Sequence, residues 1–334
     1  MSATIKDLAN EVGVSESTVS RALNDYDDVN EKTRRKIVKV AERLNYKPNA
    51  IARGLARKKT NTIGLFLLGK IGEGHPFAMK LVAGVMNASR KSEYDILLFS
   101  ETEVRSDSYI QRCQERSVDG AIILGIKSND PHLEEIKNSD IPIILIDIPV
   151  SGKKTTYVSS HNVEGAYQAV KYLMNLGHQK VVFMNGHEHA PVSKERLQGY
   201  KLAHQDCKIK YNDQLVLNGK YERDIAYQRM KKFLSLNKDF TAVFAASDLM
   251  ALGVMDALKE VNIKIPEEVS IIGFDDIELC THTNPQLSTV KQKRFEMGQR
   301  AVIGLLEMIE EGSNSVEPVL LDYELVIRGS VQSN

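Results

Sequence analysis

Cysteine is scarce in this chain of 334 residues. There are three, Cys113, Cys207 and Cys280, odd in number and far apart. No CxxC and no Cys/His cluster occurs, which excludes a disulfide framework and a zinc site as organising features. Scattered thiols suit a reducing compartment. Long apolar runs are missing too. The longest, such as residues 141–146, are far too short to span a bilayer. Lys6, Asp7 and Glu11 interrupt the apolar core that a secretory signal would need. The expectation is a soluble, cytoplasmic protein. GxGxxG, P-loop and GxSxG motifs are absent, and the glycine-rich stretch at residues 69–74 has the wrong spacing for a nucleotide loop. No catalytic residue, metal or cofactor is therefore expected, and an enzyme on a nucleotide-binding body is the least favoured class. Short-period repeats and low-complexity tracts are lacking as well.

What is present is a chain too long for one ordinary domain, with 42% hydrophobic residues, enough for a sizeable core. The net charge of zero averages two unlike parts. Residues 1–60 carry 13 Lys/Arg and 8 Asp/Glu, a balance of +5, which leaves −5 for the remainder. A basic head on an acidic body fits a head that binds a polyanion. Charge alone leaves an accidental surface imbalance equally open. The pattern at the N-terminus decides between them.

That pattern is TIKDLANEVGVSESTVSRALN. Ile5, Leu8, Ala9 and Val12 recur at helical spacing, Gly13 breaks the run, and Val19, Ala22 and Leu23 repeat the apolar spacing. Glu16, Ser17, Ser20, Arg21 and Asn24 fall outward. Two short amphipathic helices joined by a glycine turn predict a helix-turn-helix, whose second helix enters the major groove of duplex DNA. Its first residues, Ser15, Glu16 and Ser17, lie nearest the base edges. Ser15 also reads as an N-cap and Glu16 as a favourable charge at a helix start. A third helix follows Asn30, with Ile37, Val40, Ala41 and Leu44 inward, and Pro48 predicts its end near Asn45–Tyr46. Pro48 then opens a short helical segment containing Asn49, marginal by itself because of its length and Gly54.

From Ile63 onward, apolar runs predict strands at residues 62–68, 95–100, 120–125, 141–147, 180–185, 241–246 and 269–274. Amphipathic stretches between them predict helices at 79–90, 163–176, 194–204, 225–236 and 249–261. Short buried strands alternating with helices imply parallel, doubly wound sheets. About 270 residues of this pattern exceed one sheet's comfortable size, so two stacked Rossmann-like α/β lobes are expected, with a ligand cleft at the strand ends.

The head motif, together with VNEKTRRKIVKVAERLNYKPNAIARGLA, resembles the head of the lactose-repressor/purine-repressor (LacI/GalR) family of bacterial transcription regulators. The likeness continues through LGHQKVVFMNG, ERLQGY, AVFAASDLMALGVMDAL, VSIIGFDDIE, LSTV and ELVIRGS, and covers essentially the whole chain. It implies a DNA-binding head (1–47), a hinge helix and linker (48–61) and a two-lobed, periplasmic-binding-protein-like body for effector binding and dimerisation (62–334).

For DNA, the resemblance makes Glu16 and Ser17 the main sequence-reading positions and Arg21 a further base contact, able to make a bidentate bond to guanine. Thr4, Thr18, Ser20 and Asn24 are expected on phosphates. Residues 49–56, with Asn49 among the contacts, match the hinge helix that enters the minor groove. Leu55 is the matching wedge, and a linker residue packed on the body is its alternative. For the effector, the resemblance implies Phe77, Asp147, Arg196, Tyr221, Asp248 and Asp275, at strand ends or the loops after them. Carboxylates accepting from hydroxyls, a guanidinium fork and an aromatic face suit a sugar or sugar phosphate. Asp248 equally reads as a helix N-cap, and an interlobe ion pair is an alternative for Asp147, Arg196 and Asp275. His161–Asn162 departs from the Asp–Asn common in the family, and His161 is not read as catalytic. The implied protein is a homodimeric repressor of a palindromic operator, controlled by an effector that changes the angle between lobes. A protein co-repressor is the alternative controller. No heptad tail follows Arg328, so no C-terminal tetramerisation bundle is expected.

Overall fold

The computed structural model describes residues 3–24, 26–46, 59–70, 74–101, 108–236, 239–310, 312 and 316–334. It divides into two compact units, Met1–Asn61 and Thr62–Asn334.

In the first unit, α1 (Ile5–Val12), α2 (Glu16–Leu23) and α3 (Glu31–Arg43) form around Leu8, Val12, Val19, Ala22, Val29, Ile37 and Ala41. Each helix starts at a side chain that fills an orphan backbone donor. The Thr4 hydroxyl accepts from Asp7 N–H while the Asp7 carboxylate accepts from Thr4 N–H at 2.8 Å, a capping box. Ser15 Oγ accepts from Thr18 N–H at 3.1 Å and Asn30 Oδ1 from Lys32 N–H at 2.8 Å. Gly13 turns the chain after α1 at φ 79°, where a side chain would be strained. α3 ends at Arg43, within two residues of the expected stop. It stops before Pro48 through its own C-cap: Asn45 takes φ 49°, Tyr46 N–H reaches Ala41 C=O and Asn45 N–H reaches Glu42 C=O. That is a Schellman turn, with asparagine tolerating the left-handed backbone.

The second unit holds two six-stranded sheets. The first lobe uses β1 (Thr62–Leu68), β2 (Asp95–Glu101), β3 (Gly120–Leu124), β4 (Ile143–Ile146), β5 (Thr155–Ser160) and β11 (Val319–Leu321), in the order β11-β5-β4-β3-β1-β2, all parallel. The helices α4 (Pro76–Lys91) and α11 (Arg294–Glu310) pack on each other, with a core of Leu81, Val85, Met297, Ala301 and Leu305 beside Leu65 and Ile122. A separate core formed by Tyr109, Ile110, Cys113 and Ile136 with Phe66 and Ile123 involves α5 (Tyr109–Glu115) and α6 (Leu133–Lys137).

The second lobe uses β6 (Val181–Asn185), β7 (Val216–Asn218), β8 (Ala242–Ala245), β9 (Ser270–Asp275), β10 (Ser288–Gln292) and β12 (Tyr323–Val326), in the order β12-β10-β9-β8-β6-β7. Its helices are α7 (Asn162–Asn175), α8 (Pro191–Asp206), α9 (Arg223–Leu236) and α10 (Asp248–Glu260). Phe183, Phe244 and Tyr200 stack at its centre with ring centroids 5.1 Å apart in each pair with Phe183.

The chain passes between the lobes after β5, after β10 and between β11 and β12. β12 runs antiparallel to β10, against the expectation of purely parallel sheets. Only Asp322 separates β11 from β12. The carboxyl ends of the two sheets face one cleft, so a straight segment parallel to one sheet is antiparallel to the other.

The helices α4 and α11 approach through Gly84, where a Cβ would lie 2.0 Å from Phe295 C=O. Gly84→Ala is expected to cost about 3 kcal/mol, since backbone cannot yield as a side-chain tip does. Urea denaturation of the body checks this, and an unchanged midpoint would contradict it.

Candidate functional site

Two surfaces carry the expected residues. On the head, Ser15, Glu16, Ser17 and Arg21 are exposed at α2, with Thr18, Ser20 and Asn24 half-buried on the same helix end. Ser15 is both cap and surface: its hydroxyl lies 2.7 Å from that of Ser17 and 2.8 Å from that of Thr18. Thr4 is exposed but engaged in the α1 capping box. Asn24 Nδ2 donates to Ser20 C=O at 2.8 Å. Arg21 meets Asp28 in an ion pair and lies over the Tyr26 ring, 5.2 Å from its centroid. Asn49 and Leu55 lie outside the described residues.

In the body, strand ends bring together four of the six expected effector residues. Asp147 directly follows β4, Asp275 ends β9, Tyr221 follows β7 and Arg196 projects from α8. Asp147, Tyr221 and Asp275 take φ values of 61°, 63° and 125°. Positive φ is costly for a tyrosine and persists where surroundings demand it, commonly at ligand sites.

Arg196 is only 3% exposed. Nε donates to Asn162 Oδ1 at 2.9 Å, Nη1 donates to Ala246 C=O, and the guanidinium lies 3.8 Å from the centroid of the Phe274 ring. Asn162 Nδ2 in turn donates to Glu195 Oε2 at 2.9 Å. Asp147 accepts from Ser159 Oγ at 2.7 Å, and Asp275 from Gln292 Nε2 at 2.7 Å. The Tyr221 hydroxyl lies 2.9 Å from that of Ser193, and its ring meets His187 edge-on.

Burial raises the carboxyl pKa values of Asp147 and Glu195, although Ser159 and Arg196 oppose it for the first and Asn162 and Arg196 for the second. Asp275 is pushed up to about 7 by burial, against the pull of Arg196 and with a further push from Asp248. Bonds between lobes close over the cleft: the Lys70–Glu222 ion pair, Ser128 N–H to His189 C=O at 2.9 Å, and Arg294 Nη2 to Asp276 C=O at 2.6 Å, while Arg294 Nη1 donates to Pro76 C=O at 3.1 Å within the first lobe.

Asp248 requires correction. It is fully enclosed, with Oδ2 accepting from Ile277 N–H at 2.9 Å and Oδ1 from Thr289 Oγ1 at 2.6 Å. Both oxygens are engaged in tying α10 to the segment after β9 and to β10, so neither is left open to a ligand. The N-cap of α10 is the preceding Ser247. Phe77 sits in the first turn of α4, 8% exposed and packed in the first lobe's core, with no ring contact to the cluster around Arg196. His161 is the N-cap residue before α7, with Nδ1 3.6 Å from Glu164.

Sequence reasoning missed Asn162, Ser159, Glu195 and Gln292. The signal for Asn162 was there, beside the noted departure at His161. Glu195 opens the quoted ERLQGY motif on a predicted helix, whereas Ser159 and Gln292 lie in polar stretches that the apolar-run criterion passes over.

The chain matches two family models: bacterial regulatory proteins of the lacI family over residues 4–49, and a periplasmic binding protein-like domain over residues 170–331. It is 33% identical to the transcriptional repressor PurR of Vibrio vulnificus (strain CMCP6) over 333 residues, 99% of each chain. It is similar to the lac repressor dimer bound to operator and the anti-inducer ONPF, with TM-score 0.83 and 26% identity, covering 99% of this chain and 100% of that one. It is also similar to the regulator CelR in complex with cellobiose, with TM-score 0.74 and 27% identity, covering 98% and 99%.

The buried carboxyl of Asp275 gives a signed expectation. The folded state holds a proton up to about pH 7 that an unfolded carboxyl releases near pH 4. Its contribution to stability is therefore full at low pH and lost as pH rises from about 4 to about 7. Asp275→Asn should match the parent near pH 4 and unfold several degrees higher at pH 8. A difference independent of pH in paired melting curves would contradict this.

Proposed function

The chain belongs to the lacI family of bacterial regulatory proteins, and from that premise we propose that residues 1–47 bind a palindromic operator while the cleft of residues 62–334 binds a sugar or sugar phosphate. It is a DNA-binding transcriptional repressor with a small-molecule effector domain. No role as an enzyme is proposed.

The observation that carries the effector reading is the meeting of Asp147 from one lobe with Arg196, Asp275 and Tyr221 from the other. Carboxylates beside a guanidinium and an aromatic ring match the pattern of hydroxyls and apolar faces on a sugar. The cellobiose bound to CelR supports that class. On the head, Glu16, Ser17 and Arg21 read base edges, Ser15 serves as cap and contact, and Thr4, Thr18, Ser20 and Asn24 take phosphates. Residues 48–61, with Asn49 and Leu55, enter the minor groove as a hinge. They lead directly into β1, so a change of angle between lobes alters the spacing of two hinges in a dimer and hence operator affinity. A coupling of a few kcal/mol suffices.

Both lobes of the body contribute the dimer interface, and the lac repressor, a dimer on its operator, supports a dimeric state. Met79 and Met86 on α4 are 47% and 58% exposed, and Leu98 on the edge strand β2 is 54% exposed. Such a stripe suits a second copy of the chain.

Three outcomes test this. Arg21→Ala should lose about tenfold discrimination at one symmetric pair of base positions in duplexes selected from a random pool; an equal loss on all sequences would contradict base reading. In a thermal-shift panel of sugars and sugar phosphates, the compound that raises the melting temperature should release the selected duplex or tighten its binding. Asp147→Ala should abolish that response and keep DNA binding. If the panel shifts nothing and a protein partner alone alters DNA binding, the cleft is not the sensor. Met86→Glu should shift the protein towards monomer in sedimentation, and an unaltered dimer would place the interface elsewhere.

A further inference from the structure

The loop between α2 and α3 is acidic, with Asp27 and Asp28 in a head that is otherwise basic. Carboxylates beside a DNA-binding helix repel phosphates, so their presence needs a physical reason. Asp28 has one. Its Oδ1 accepts from Arg21 Nε at 3.0 Å and its Oδ2 meets Arg21 Nη2. The carboxylate thus grips the guanidinium along one edge, in the fork geometry that only arginine offers. Among the described residues, no hydrogen-bond partner meets Nη1.

The loop that carries Asp28 is held firmly. Val29 is buried in the head core. Arg34 Nη2 donates to Tyr26 C=O at 2.7 Å and Arg34 Nη1 to Ala22 C=O at 3.2 Å, tying loop and α2 to α3. Tyr26 N–H donates to Arg21 C=O at 3.1 Å, and the Tyr26 ring lies beneath the guanidinium. Arg21 is therefore held by an ion pair along one edge and an aromatic ring on one face, both on a pinned loop.

We propose that Asp28 is a positioning residue for base recognition, gripping the Nε edge of Arg21 so that its Nη1/Nη2 end is presented to guanine. The inference rests on the reading of Arg21 as a base contact. An end-on fork needs one hydrogen from each terminal nitrogen, and these stay free when the side edge is taken. Fixing a side chain with several rotors before contact lowers the entropy lost on binding. The carboxylate also weakens attraction to phosphates of any sequence. Both effects raise the ratio of specific to non-specific binding.

The test uses the full chain, a palindromic duplex selected by the parent protein from a random pool, its single-position variants and a random duplex. Arg21→Ala identifies the base position that Arg21 reads. Asp28→Ala should lower preference at that same position by about tenfold, and tighten binding to the random duplex at low salt. Asp28→Asn, which keeps one acceptor for Nε, should restore part of the preference. In the Arg21→Ala background, Asp28→Ala should change no base preference. If Asp28→Ala tightens binding to all duplexes with preference intact, Asp28 is only a repelling charge and the inference fails. A loss spread over all positions makes Asp28 a structural residue of the loop, which also overturns it. If Arg21→Ala itself spares base preference, the reading beneath the inference fails first.

Discussion

A guanidinium taken out of water must have its donors met, and Arg196 sets the terms for everything around the cleft. Its partners come from different elements: Asn162 begins α7, Ala246 follows β8 and Phe274 lies in β9. The second lobe can close around that charge only if α7, α8 and the strand ends arrive together. Arg196 faces Asp147, Glu195 and Asp275, whose carboxyls are all raised by burial, and Arg294 also acts on Asp275. A ligand rich in hydroxyl donors can supply the carboxylates with hydrogen bonds without adding to the negative charge, which ties the chemistry of the cleft to the chemistry of its occupant.

The lobes' connections make such occupancy consequential. Three passages of chain join them, and the Lys70–Glu222 pair, the Ser128–His189 bond and the Arg294–Asp276 bond span them. Asp147 belongs to one lobe and Arg196 to the other. A ligand touching both changes the free energy of the closed arrangement relative to an open one, and only such a difference can shift an equilibrium.

The core strands were legible because both of their faces are buried and their residues are apolar, as in β1, β3, β4 and β8. Legibility ended where burial is met by polar groups. β5 reads TTYVSS, yet most of it is buried, because Thr155 Oγ1 donates to Ile136 C=O at 2.8 Å and Ser159 donates to Asp147. β7, β10, β11 and β12 are short or mixed in character and gave no run. The expected effector residues at strand ends came from motif likeness, and the structure separates them by their partners: Arg196 keeps company with Asp147, Asp275 and Tyr221, while Asp248 is engaged by Ile277 N–H after β9 and by Thr289 in β10. Sequence spacing does not distinguish a carboxylate pointing into a cleft from one spent inside a lobe; that depends on which backbone N–H groups come within reach.

The opposite charges of head and body matter for regulation as well as for affinity. Attraction of a basic head to phosphates is indifferent to sequence and grows as salt falls. An effector coupling of a few kcal/mol can release the operator only if the repressor does not then remain bound to DNA by charge alone. A head balance of +5 over residues 1–60, tempered by acidic residues close to the recognition helix, limits that residual attraction. An acidic body limits it further. Specific contacts then supply a larger share of operator affinity. A modest coupling then suffices to shift the repressor between bound and free states.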